Sequence, residues 1–160
     1  MLEGVFSDED GDFPAGSYVR NPPGSRHTPG SAPGCTIFVK LWQFDPDDRT
    51  EVRLASAGRV YAPVPSRSGV MAADLFRDEH EIVRLERWAP GAVISLVPQG
   101  GIELLVLEGG FSEAGEPFVP QSWLRLPPGA PVEATAGPSG CHLWVKEGHL
   151  RRAPALPPGR

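Results

Sequence analysis

Four histidines, two cysteines and a few carboxylates carry whatever chemistry this chain can do. His27 lies in Pro22-Pro23-Gly24-Ser25-Arg26-His27, a turn-forming corner that would present an imidazole at the end of a strand. His80 sits in Asp78-Glu79-His80-Glu81, where acidic neighbours could help hold a cation. Residues adjacent on a strand point to opposite faces, however, so that stretch reads as a solvated turn. His142 and His149 have no partners at ligand spacing. Glu3 and Glu108 read as strand-end polar residues rather than a catalytic pair, because such a pair belongs in one cavity. Cys35 and Cys141 read as small buried residues, too far apart for a disulfide.

These residues must be positioned by strands. Of 160 residues, 19 are Gly and 19 are Pro, which leaves few windows long enough for a helix. The hydrophobic share is 40%, arranged in short runs between turn signals, so an all-β domain with a real core is expected. Net charge is −5, which argues against a nucleic-acid surface. No apolar run reaches a membrane span, no secretion signal is visible, and two cysteines make no disulfide framework; a cytoplasmic location follows as the expectation.

The chain repeats itself. Leu2-Glu3-Gly4-Val5-Phe6-Ser7 returns as Leu107-Glu108-Gly109-Gly110-Phe111-Ser112. The same offset carries Phe13, Ser17 and Arg20 onto Phe118, Ser122 and Arg125, and Pro22-Pro23-Gly24 onto Pro127-Pro128-Gly129. One inserted residue later, Gly34-Cys35 meets Gly140-Cys141 and Val39-Lys40 meets Val145-Lys146. So many identities exceed chance, and each copy should share one strand plan. Short strands are expected at Ser17–Arg20 and Ser122–Arg125, and longer ones at Cys35–Trp42, Gly69–Phe76, Glu81–Trp88, Ala92–Val97, Leu104–Phe111 and Cys141–Lys146.

The repeated segments, with Trp88-Ala89-Pro90-Gly91 and Gly100-Gly101, resemble the ChrR-type cupins, a family of double-cupin proteins that includes the C-terminal domain of the ChrR anti-sigma factor. The resemblance implies an all-β cupin jelly roll. Residues 1–45 would be the C-terminal half of a first barrel, 50–150 a complete second one, and 151–160 a disordered tail. Family members hold Zn, Fe, Mn or Ni through two His and a Glu of a first motif and a His of a second. Carried onto the second repeat, those positions fall on Leu96, Pro98, Ile102 and Val132, which cannot ligate a metal. In the first repeat only His27 matches, as an incomplete metal site with no catalytic residue and no cofactor-binding residue beside it.

Met1 aligns with Val106, inside a continuous strand of the other copy. A longer native form with a His-x-His-x-Gly-Gly-Glu motif upstream is therefore expected. The half barrel must cover its apolar face with the second barrel, with strands from Glu51 to Tyr61, or with a second copy in a homodimer. The favoured function is a non-catalytic regulatory or small-molecule-binding cupin, without the helical segment of a complete anti-sigma factor. The alternative is a metal-dependent oxidoreductase, such as a dioxygenase of small aromatic or keto compounds, if the longer form carries the first metal motif.

Overall fold

The computed structural model describes residues 1–151, in two compact units, one spanning Met1–Arg59 and a second beginning at Val60. The expected tail lies outside the described residues except for Arg151, which ends a 3-10 turn, His149–Arg151.

Unit 1 contains β1 (Glu3–Asp8), β2 (Gly11–Pro14), β3 (Tyr18–Arg20), β4 (Cys35–Thr36) and β5 (Val52–Leu54). One sheet has the order β2-β1-β4, and β3 pairs separately with β5. Phe6 and Phe13 meet across the β1–β2 hairpin and are buried. The β3–β5 pair explains the boundary: of the three coverings considered for the first repeat, the Glu51–Tyr61 stretch supplies a strand. Arg20, almost fully buried, secures the approach to it, donating to Thr50 O at 2.7 Å and forming an ion pair with Asp48.

Unit 2 contains β6 (Ala62–Pro63), β7 (Val70–Arg77), β8 (Ile82–Trp88), β9 (Val93–Leu96), β10 (Ile102–Glu113), β11 (Glu116–Phe118), β12 (Trp123–Leu126) and β13 (Val132–Glu147). Its sheet runs β11-β10-β13-β8-β7-β6, with β12 added on β10 and β9 on β13. The even positions of Ile102, Leu104 and Val106 interleave with Leu143 and Val145 in one buried core, as period-two alternation requires. Every pair in this sheet is antiparallel, as a jelly roll requires.

The sequence repeat is a repeat of register. Phe6 opposes Phe13 as Phe111 opposes Phe118, and Gly4 opposes Cys35 as Gly109 opposes Cys141. Gly4 and Gly109 both take left-handed φ, 68° and 70°. A Cβ at either would drive into the carbonyl oxygen of Gly34 or Gly140, so only glycine fits.

One expected strand is not there. Of Cys35–Trp42 only Cys35–Thr36 pairs, and the ladder along β1 stops at the bond from Leu2 N to Thr36 O, 2.8 Å. In unit 2 the equivalent stretch is central, flanked by β10 and β8. In unit 1 it has β1 on one side for two residues and no described strand on the other. Apolar alternation alone does not hold a strand straight without a neighbour to accept its hydrogen bonds.

Gly109→Ala should lower the unfolding free energy by more than about 2 kcal/mol, combining left-handed strain with the carbonyl clash. Urea denaturation followed by tryptophan fluorescence measures it.

Candidate functional site

The four positions that the resemblance marks out in the second repeat, Leu96, Pro98, Ile102 and Val132, carry apolar side chains. Ile102 and Val132 are within the core, at 1% and 0% exposure, and Leu96 packs against them. Leu96 and Val132 stand directly opposite each other on β9 and β13, and Pro98 is fully buried beside β9. Their side chains offer no lone pairs, so this donor set does not fit a metal ion. Gly100-Gly101, which set the alignment, is covered instead by the 3-10 turn: Gly148 N donates to Gly101 O at 3.0 Å and Leu150 N to Gly100 O at 2.9 Å.

Charge enters the same core from β8. Register places Arg84 and Glu86 opposite Val145 and Leu143, on the face that Trp88 shares with the core. Glu86 is completely buried. Its carboxylate accepts from Arg67 at 2.9 and 2.5 Å, from Arg84 Nε at 2.6 Å and from Trp88 Nε1 at 2.7 Å. Arg84 also reaches Glu147 at 2.9 Å. Burial alone would push the Glu86 carboxyl up, but the hydrogen bonds and charge of Arg67 and Arg84, with the indole donor, outweigh it and hold it below the usual range. Sequence reasoning missed this network. Its signal was Arg84, Glu86 and Trp88 at alternate positions of one strand; the fourth member, Arg67, comes from a turn no pattern links to them.

In unit 1, His27 is exposed in an open depression lined by Glu9, Ser25, Arg26 and Thr28. Asn21 Nδ2 lies 3.1 Å from His27 Nδ1, and the ring meets Phe6 edge-on with centroids 6.1 Å apart. Glu9 was not anticipated. Both its oxygens accept from the Thr28 backbone N–H at 3.0 Å, and that bond lowers its pKa to about 2. The pair ties the β1–β2 turn to the residue after His27.

The remaining candidates are dispersed. His80 is in an exposed turn, 3.3 Å from Glu79, with its N–H on Asp78. His142 Nε2 is 2.9 Å from the Tyr61 hydroxyl, and His149 Nε2 is 3.2 Å from buried Glu103. Glu3 accepts from Thr36 Oγ1 at 3.3 Å, and Glu108 opposes His142. Cys35 and Cys141 are both free, and burial pushes the Cys141 thiol up to about 12, far from a reactive thiolate. Among the described residues no group of three or more His, Cys, Asp or Glu is placed to hold a metal ion.

A family model described as the ChrR cupin-like domain matches residues 1–45. No curated protein matches the sequence. Among solved structures, a candidate dioxygenase of Nostoc punctiforme is similar over 98% of this chain and 65% of its own, at 14% identity and TM-score 0.69. A candidate acetylacetone dioxygenase of Methylibium petroleiphilum is similar over 56% of this chain and 71% of its own, at 13% identity and TM-score 0.50. The ChrR anti-sigma factor of Rhodobacter sphaeroides, solved with SigE, shares 19% identity over 54% of this chain and 47% of its own, at TM-score 0.49. The chain thus spans about half the length of that protein and just under two thirds of the Nostoc one. The family match and the two likenesses at TM-score 0.50 and above support the cupin fold.

Glu86→Gln should cost about 3–5 kcal/mol, the penalty for stranding buried Arg84 and half-buried Arg67. Because the folded carboxyl lies below its unfolded value, its stabilisation is complete above the ordinary carboxylate range and is lost on acidification. The variant should therefore show a shallower acid limb in urea midpoints measured against pH. Separately, the Thr28 amide signal in NMR should titrate with the Glu9 carboxyl near about 2, well below an ordinary glutamate.

Proposed function

We propose that this chain, whose residues 1–45 match the ChrR cupin-like domain model, works as a non-catalytic cupin that senses or binds a small molecule or a protein partner. The observation carrying this reading is the occupation of all four family metal positions in the second repeat by buried or half-buried apolar side chains. At these four positions no side chain offers a lone pair to hold a metal ion. The charges that do enter it are satisfied by one another, Arg67 and Arg84 by Glu86, which suits a rigid scaffold better than a reacting centre. Under this reading His27 is not part of a metal centre, and no divalent metal is required.

A second reading is favoured by one observation: His27 stands where the family's second-motif histidine belongs and is open to solvent. A longer native form that supplied the first motif would complete a four-ligand site there, and the first repeat would then be the oxidoreductase. Metal analysis of the protein purified from its native source separates the two. The expected result is Zn, Fe, Mn and Ni far below one per chain after dialysis. Stoichiometric metal that is lost in His27→Ala would replace the binding role with the enzymatic one.

A further inference from the structure

Among the described residues, β6, β9, β11 and β12 of unit 2 each have a strand on one side only. Three of them carry what keeps a bare edge from pairing again: Pro63 on β6, Glu116 and Pro117 on β11, Arg125 on β12. β9 carries nothing of the kind. No charged residue stands anywhere from Trp88 to Ile102. Yet Val93 and Val97 lie open at 71% and 52% exposure.

The main chain of this edge is turned outward at alternate residues. Ala136 N donates to Ala92 O at 2.9 Å, and the ladder continues with Ala134 opposite Ile94 and Val132 opposite Leu96. Antiparallel ladders alternate hydrogen-bonded and non-bonded pairs. Ile94 and Leu96 therefore turn their N–H and C=O to β13, and Val93, Ser95 and Val97 turn theirs away. Among the described residues no main-chain bond outside the ladders involves those three. Val97 O accepts from the Gln99 side-chain amide at 3.2 Å and keeps a second lone pair.

We infer that β9 is a homodimer interface, pairing antiparallel with β9 of a second copy about a two-fold axis at Ser95. The edge fits itself. Ser95 meets the same residue of the second copy, and Val93 meets Val97 on both sides of the axis, so each outward N–H finds a C=O and each exposed valine is covered by the other. That match about Ser95, with no charge on the strand to repel a copy, singles out this chain as its own partner. Ser95 Oγ donates to Glu133 at 2.8 Å, which puts one carboxylate of each copy in the shared row. The two carboxylates lie three strand spacings apart, roughly 14 Å, beyond the Debye length of about 8 Å at physiological salt. The pairing has no bearing on metal content, so this inference and the proposed function stand or fall separately.

Sedimentation velocity of the full chain across the micromolar range tests it, with hydrogen exchange of the Val93, Ser95 and Val97 amides at both ends of that range. A monomer–dimer equilibrium is expected, with those amides exchanging at least about tenfold more slowly in the dimer. Val93→Lys and Val97→Glu, at exposed sites that leave the thermal unfolding midpoint unchanged, should each weaken dimerisation by at least about tenfold, since each sets a charge against a valine. Val93→Lys together with Val97→Glu in one chain sets opposite charges face to face on both sides of the axis and should restore the dimer. A chain that stays monomeric, a dimer indifferent to either single substitution, a dimer that the paired substitutions fail to restore, or growth beyond the dimer overturns the inference. So does protection of the three amides in the monomer, which would mean that the chain covers its own edge.

Discussion

The constraint on which both units depend is the close approach of two backbones at Gly4–Cys35 and Gly109–Cys141. In each, a left-handed glycine lies against the carbonyl of another glycine, Gly34 or Gly140, with no room for a side chain. That contact locks the strand carrying Leu-Glu-Gly against the strand carrying Gly-Cys, and the hairpin register follows from it: Phe6 on Phe13, Phe111 on Phe118. A slip of one residue would turn every core side chain outward, so the glycine contact and the apolar alternation enforce each other.

The two copies diverge wherever the available neighbours differ. Arg125, on β12, lies 3.4 Å from buried Glu103 of β10, to which β12 is paired. Its equivalent Arg20 turns to Asp48 and Thr50, and β3 takes β5 in place of a β10-like strand. Even the main chain repeats: Val106 N donates to Ser122 O at 3.0 Å, and the Met1 ammonium donates to Ser17 O at 2.8 Å. Buried polar groups and strand edges must be satisfied, and the fold recruits whichever segment can do so.

The same demand explains the interior of unit 2. A carboxylate at 0% exposure survives only because four donors converge on it, two of them from an arginine carried by a turn. Such a network is weak evidence for net stability but strongly penalises the loss of any one member. It also fixes the turn around Arg67 to the core, leaving the interior closed by ion pairs at one place and by Leu96, Pro98, Ile102 and Val132 at another.

Sequence alone determined the strand-rich class, the repeat with its register, and the apolar nature of Leu96, Pro98, Ile102 and Val132. Each of these rests on local patterning: turn residues, period-two alternation, and glycines spaced identically in both copies. Only tertiary structure decided which strands form. Ile37-Phe38-Val39-Lys40 and Leu143-Trp144-Val145-Lys146 have the same pattern, yet one is a central strand and the other is not a strand at all. A strand is stabilised by neighbours, and neighbours are not encoded in its own residues. The Arg67–Glu86 and Glu9–Thr28 contacts were hidden for the same reason, since each joins a loop to a group 19 residues away whose partner no spacing rule specifies.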